Sequence, residues 1–513
     1  KEAAKGRSKY RSGHIDGLAV AATVLMLSLF YHETYILSHM IPVHMKYRVF
    51  KAMFLAVGCM ILQPYAYAQQ PEDTLALTLQ EAQDYAMEHN TQVQNSGIDV
   101  KIADEEVWET TARGLPQISA SGTYNNNLSL ATQLFPNFIE PTIIRTLIEQ
   151  GVLPPSTPIG EPDLIEVQFG TQHNFTGSIS VNQLIFSGPY IVGLQASMVY
   201  KGLSRQQHEQ SKLETKANVA RTYHSILLTQ RNIHILENNR DAIEASLRDS
   251  KALYQNGMIE QTEVEKIRIS LSSLDNTIKT TQRQWEQFKN LLKIQLGVAL
   301  QKPIKLTQAL QEIVAEATLD ESLQKEFQVK DNISYQMMRT QVELSKLDLK
   351  RQKSAFLPSL SAFYNIRENA MRDKFNPLNS DKKWYESRTL GFELSFPIFN
   401  SGQKISRVQQ AKLNLEKTKN NLDETRKSLV NSYIQAENNY QTAYEKMQNT
   451  RENMALAKKV YNRISRKFAE GMTSSMELTQ ANREYLNTES NYIQALVDLL
   501  NAKTQLQKIR NEL

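Results

Sequence analysis

The sequence predicts an α+β membrane protein built from two internal structural repeats, each a pair of membrane-length β-strands followed by a long helical hairpin. Three observations carry this. Short markers occur twice at matched spacing, segments of strict apolar–polar alternation follow them, and most of the remaining chain has a sustained seven-residue apolar period.

The markers come first. Asn90 of "HN" stands 25 residues before Leu115 of "LPQISASGTYN", and Asn332 of "DN" stands 25 before Leu357 of "LPSLSAFYNI". "LIFSG" ends at Gly188 and "IFNSG" at Gly402; 69 residues after each comes a Gly-Met pair, Gly257-Met258 and Gly471-Met472. The first repeat is therefore placed at 77–297 and the second at 319–510, with a connecting segment at 298–318. The halves differ mainly by 28 extra residues in the first, within 135–163. That stretch is rich in Pro, has no clear period and reads as a long exposed loop.

Strands are expected at about 115–126, 175–186, 357–366 and 389–399. The last is the cleanest: Leu390, Phe392, Leu394, Phe396 and Ile398 alternate with Gly391, Glu393, Ser395 and Pro397, so these five apolar residues form the expected lipid-facing side. Roughly 9–12 residues is the length a tilted strand needs to cross a bilayer. Trp384 and Tyr385 flank this strand where an aromatic girdle would sit.

The rest reads as helix. Leu415, Leu422, Leu429, Ala436 and Ala443 recur every seven residues, as do Tyr433, Tyr440, Met447, Met454, Tyr461 and Phe468. Val219, Ile226, Ile233, Leu247 and Tyr254 repeat the second stripe in the first half, broken at Arg240. Sustained heptads mean coiled-coil-like packing, and 69 residues without Pro make a helix of about 100 Å. Gly257 and Gly471 then mark the far turns of two antiparallel helix pairs, where glycine accepts the positive φ of a tight turn.

Upstream, Met45 opens an expected secretory leader over 45–68, with a basic "MKYRVFK", an apolar "AMFLAVGCMIL" and a small-residue "AYA". Eleven apolar residues are too few to span a membrane. Cys59, the only cysteine, lies in this leader, and a lipid anchor there is the weaker alternative. Residues 1–44 read as a non-native upstream extension, against a real cytoplasmic extension or extra anchor.

The net charge of +5 is confined to residues 1–68, which hold eight Lys/Arg and three Asp/Glu; from Gln69 onward 51 of each sign remain. That balance gives no support for nucleic-acid binding. No phosphate loop, dinucleotide glycine pattern or His-Glu-x-x-His occurs, and His89, His173, His208, His224 and His234 are not paired at helical spacing. No catalysis, metal or cofactor is expected.

Four strands cannot close a barrel, and open edges are not tolerated in lipid. The chain must therefore oligomerise if its strands enter a membrane; a cyclic trimer would supply twelve. Over about 77–510 the sequence resembles the TolC family of outer-membrane efflux proteins, through "LTLQEAQDYAMEHN" at 77–90, the doubled "LP…S", the doubled "SG" and the doubled Gly-Met with a following acid. The resemblance implies a homotrimeric 12-stranded β-barrel in the outer membrane, four strands per protomer, continuous with a long periplasmic α-helical barrel. It also implies an exit duct docked to a periplasmic adaptor and an inner-membrane pump at the helix tips.

Glu263 and Glu477, each six residues past a turn glycine, stand where the family usually has Asp lining the closed periplasmic end. Six carboxylates around one opening would attract cations, and gating would act there; the alternative is two solvated helix-face residues. Some members pair an Arg two residues past the second glycine with such acids, and here that position is Thr473. Met258 and Met472 are candidate adaptor contacts, or else pack within their own turns. A soluble periplasmic coiled-coil scaffold is the rival reading of the whole chain; it accounts for the heptads but not for the alternating segments.

Overall fold

The computed structural model describes residues 74–137, 139–159, 164–318, 327–376 and 383–513. The expectations for 1–44, the leader at 45–68 and Cys59 lie outside the described residues.

The chain begins with β1 (Leu75–Leu77), which pairs in parallel with β6 (Ile304–Leu306). Helix α1 (Leu79–His89) opens on a capping box, in which Thr78 accepts from the Glu81 amide and Glu81 reaches back to the Thr78 amide. Asn90 ends α1 and caps α2 (Thr91–Ala112), its side-chain oxygen accepting from Gln92 and Val93. Asn332 does the same for α7 (Ile333–Ser354), accepting from Ser334 and Tyr335.

Both asparagines have a second task. Asn90 donates through Nδ2 to the Gln295 carbonyl at 2.7 Å, and Asn332 donates to the Ile509 carbonyl at 2.9 Å. Gln295 ends α5 (Gln261–Gln295) and Ile509 lies at the end of α9 (Ser475–Arg510). Each Asn therefore ties the start of one helix to the end of another, satisfying carbonyls a helix terminus leaves open.

The long helices are α4 (Gly188–Gln255, 68 residues) and α8 (Gln403–Ala469, 67 residues), each about 100 Å by helical rise. Pro189 sits in the first turn of α4, where its missing N–H costs nothing. Helices α2 and α5 pack along α4, and α7 and α9 pack along α8.

One apolar cluster, with Val219, Tyr223, Ile226, Leu292, Leu499 and Leu500, also takes in α6 (Leu310–Thr318) through Ile313 and Ala317. A second lies nearer the turns, with Leu236, Ile243, Ile267, Leu274, Tyr461 and Leu478. Buried Asn239 and Asn482 lie within the stretches of the second cluster, and buried Glu489 lies along α9 between the two clusters.

The remaining strands are β2 (Gln117–Asn126), β3 (Thr132–Pro136), β4 (Leu164–Gln168), β5 (His173–Ser187), β7 (Ser359–Arg372) and β8 (Tyr385–Ser395). Four of them form one antiparallel sheet in the order β2-β5-β7-β8, leaving β2 and β8 as its edges.

Three differences from the sequence reading have physical reasons. The segment 135–163 is not structureless: β3 and β4 pair, and α3 (Ile139–Glu149) lies between them. Ile139, Ile143 and Leu147 recur at helical spacing, and Pro141 falls in the first turn, where it is tolerated. Strand β7 runs beyond 366 to Arg372 and β5 starts earlier, at His173, because backbone pairing continues past Arg367 and Glu368, where apolar alternation stops, to the pair His173–Arg372. Strand β8 ends at Ser395, so Phe396 and Ile398 lie just past it; the partner strand starts at Ser359, opposite Ser395, and Pro397 has no N–H to donate.

Candidate functional site: the helix tips and the two-faced sheet

The two far turns are built alike. Gly257 has φ 70° and Gly471 φ 72°. Met258 N–H bonds the Leu253 carbonyl at 2.9 Å, and Met472 N–H bonds the Lys467 carbonyl at 2.8 Å. This is the Schellman closure of a helix end, with glycine in the left-handed position. A Cβ at either glycine would meet nothing within 4 Å, so the backbone angle demands glycine, not crowding. Met258 and Met472, 71% and 64% exposed, project from these turns.

The two acids past the turns are not equivalent. Glu263 pairs with Lys266 at 2.7 Å through Oε1. Its Oε2 accepts from the Ser475 amide at 3.2 Å and from the Ser475 hydroxyl. Ser475 is buried in the first turn of α9, so Glu263 joins the first hairpin to the tip of the second. The hydrogen bond from Lys266 and that from Ser475 hold the Glu263 carboxyl below its ordinary value. Glu477 turns to its own loop: its Oε2 accepts from the Thr473 hydroxyl, and its amide donates to Ser474 Oγ, the α9 cap, at 3.3 Å. Sequence reasoning missed Ser475; its only signal is a serine inside the first turn of a helix already capped by Ser474.

At the other end, register sorts the sheet into two faces, because directly paired residues share a side. One row runs Ile118, Val181, Tyr364, Leu390, and the next Ala120, Ile179, Ile366, Arg388. The opposite face carries Ser119, Ser180, Asn365, Thr389 and then Ser121, Ser178, Arg367, Ser387. Leu390, Phe392 and Leu394 in β8, and Phe396 and Ile398 beyond it, are all more than 60% exposed. At the strand ends Tyr124 stacks on Phe175 at 4.8 Å, and Phe375 meets both rings.

Among the described residues no helix is long and apolar enough to cross a membrane, and no group of three or more His, Cys, Asp or Glu is placed to hold a metal.

An exposed sheet with one apolar and one polar face, carried on helical hairpins of this length, is a fold seen among solved outer-membrane channels. The outer membrane channel CmeC of Campylobacter jejuni has this fold: it superposes with a TM-score of 0.63 over 85% of this chain and 85% of its own, at 17% identity. The chain belongs to the outer membrane efflux protein family, whose model matches residues 83–298 and 330–512. This is a family of transport channels rather than enzymes. The alkaline protease secretion protein AprF of Pseudomonas aeruginosa is 21% identical over 295 residues, 51% of this chain and 56% of that protein. The proteases secretion protein PrtF of Dickeya chrysanthemi is 19% identical over 240 residues, 46% of this chain and 51% of that protein. The chain thus spans about half the length of these curated relatives.

Proposed function

We propose that three copies of this chain form a passive exit duct through the outer membrane, each contributing four strands to a twelve-stranded barrel and two helical hairpins to a tube in the periplasm. On this reading the two halves of the chain are structural repeats. The observation that carries it is the open sheet: an apolar face exposed to solvent, a polar face behind it, and two unpaired edges in β2 and β8. Lipid would cover the first, water in a lumen the second, and pairing of β2 with β8 of a neighbouring copy would remove the third. A soluble scaffold would leave the apolar row without a partner.

The helix tips are the periplasmic gate and the docking end. Exposed Met258 and Met472 offer adaptable apolar contacts to a periplasmic adaptor, which in turn brings an inner-membrane pump. Glu477 lines the opening, while Glu263 holds the two hairpins of one protomer together through Ser475. The protease-secretion relatives and the family's efflux description support export as the role of the assembly, with the pump selecting the cargo.

The test is the mass and shape of the protein extracted from membranes in mild detergent, followed by conductance in a planar bilayer. A trimer with a tail on the order of 100 Å below the micelle, conducting weakly until the tips are disturbed, is the expected result. A monomer released by salt without detergent would overturn it.

A further inference from the structure

Between the two hairpins, beside the segment that joins β6 to α6, lies a cleft of about 1190 Å³. Five helices, α4, α5, α6, α8 and α9, wall it. Trp285 of α5, Tyr444 of α8, and Tyr485 and Tyr492 of α9 supply aromatic surface, and Leu310 and Val314 of α6 add an aliphatic side. A duct needs none of this, since transport runs along the tube and not into the seam of one protomer.

Two buried polar atoms in this lining have no partner. Trp285 Nε1 is one, a donor without an acceptor. The other is Oε2 of Glu489, a residue only 6% exposed. The Tyr485 hydroxyl, one turn earlier, hydrogen-bonds the same carboxyl. A buried polar group left without a partner is costly, so two in one cleft point to a ligand that completes them.

The charges in the cleft decide the class of ligand. Arg231 of α4, with Arg451 and Lys458 of α8, line it, and none of the three makes an ion pair among the described residues. His234 and Glu237 of α4 also face it, and Glu237 accepts from Gln282 of α5 at 3.4 Å. The segment 306–315 contributes only uncharged residues. Cations in excess at the rim and aromatic rings behind them suit a molecule with an anionic head and a flat apolar body.

We propose that this cleft binds an amphipathic organic anion, an aromatic or fused-ring carboxylate or sulfonate, with its head at Arg451 and Lys458 and its rings against Trp285, Tyr485 and Tyr492. Glu489 then sets the pH dependence. Burial pushes its carboxyl up, opposed by the Tyr485 hydrogen bond and by Lys458 and Arg231. An arriving anion pushes it further, so binding takes up a proton and strengthens as pH falls. A protonated Glu489 also becomes a donor to the ligand.

The experiment is isothermal titration of the detergent-extracted protein with 2-naphthalenesulfonate, which is water-soluble, and with 2-naphthylmethylammonium as the cationic counterpart. Saturable binding of the sulfonate, one per chain, is expected, tighter at pH 6 than at pH 8. Arg451→Gln with Lys458→Gln, both exposed sites, should weaken it at least tenfold. Glu489→Gln, which keeps the shape, should bind the sulfonate more tightly at pH 8 and show a smaller pH dependence. Absence of saturable binding, indifference to the double variant, or a preference for the ammonium probe that Glu489→Gln abolishes would overturn the proposal. None of these outcomes depends on whether the chain conducts.

Discussion

Oε2 of Glu263 lies 3.2 Å from the backbone nitrogen of Ser475, a residue 212 positions further along the chain and on the other hairpin. The same oxygen accepts from the Ser475 hydroxyl, and Lys266 occupies the remaining oxygen. One carboxylate thus satisfies a first-turn N–H of α9, an orphan donor of a helix start, while its charge faces the positive end of that helix. It links the tips of two hairpins that also share an apolar cluster of Leu478, Ile267 and Phe468.

If the helix tips form the gate of a trimeric channel, removing this link should loosen it. Ser475→Ala keeps the amide donor and loses the hydroxyl; Glu263→Ala loses both bonds. Single-channel conductance at neutral pH should rise for both, and more for Glu263→Ala, with the trimer intact on sizing. Equal, unaltered conductance in both would remove Glu263 from the gate.

The same link has a defined acid limit. Its hydrogen bonds hold the Glu263 carboxyl below its ordinary value of 4.5. A group with a lowered folded pKa contributes fully above its unfolded value and loses that contribution as pH falls through the folded one. Wild-type conductance should therefore stay constant down to about pH 4.5 as far as this tie is concerned and change only in stronger acid. Glu263→Gln, which cannot titrate, should show no such step.

His224 carries a different pH response. Burial, with a smaller effect of Lys503, depresses its pKa from 6.5 to about 4, and neither ring nitrogen has a partner. The unfolded chain takes a proton below 6.5 that the folded chain refuses until about 4. Stability from this group is full above that window and falls through it, by about 3 kcal/mol at the lower end. The Tm of the extracted protein should drop between pH 7 and pH 4.5, and His224→Leu should flatten that slope. A slope unchanged in the variant would place the acid sensitivity elsewhere.

The turn glycines allow a sharper stability test. Gly257 and Gly471 both have open space at the Cβ position but left-handed backbone angles. Alanine at either should cost about 1 kcal/mol from backbone conformation alone. Asparagine, which tolerates that region, should cost less. If Gly257→Ala melts like wild type, the turn has relaxed out of the Schellman geometry.

Some of this was legible in the sequence because it rests on local periodicity. The alternation of Leu390, Phe392 and Leu394 with Gly391 and Glu393 names the faces of β8, and the heptads through Tyr440, Met447, Tyr461 and Phe468 name residues that the packed helices bury. The marker asparagines were visible as a pattern but not as a cause. That Asn90 and Asn332 each cap one helix and grip the end of another depends on contacts 205 and 177 residues apart. Helix α3 was hidden by the weight given to prolines around it. Glu263 and Glu477 looked alike because their spacing from glycine is identical; what separates them is which neighbour each reaches, and spacing within one strand of chain carries no such information. The cleft around Glu489 was not legible at all, since its walls come from helices between Leu227 and Leu496, far apart along the chain.

The two faces of the sheet should respond oppositely to charge. Phe392 lies on the apolar side, opposite Ala362, and is 69% exposed. If lipid covers that side, Phe392→Lys buries a cation in hydrocarbon at a cost of about 2–4 kcal/mol near the midplane. Three symmetric copies would each bear it. Ser180 lies on the opposite side, between Ser119 and Asn365, and Ser180→Lys would there face water in the lumen. Phe392→Lys should reduce the proposed trimer recovered from membranes. Ser180→Lys should assemble normally and alter the balance of anion over cation conductance instead. Both variants assembling equally would mean the apolar row does not meet lipid, and the barrel reading would fall with it.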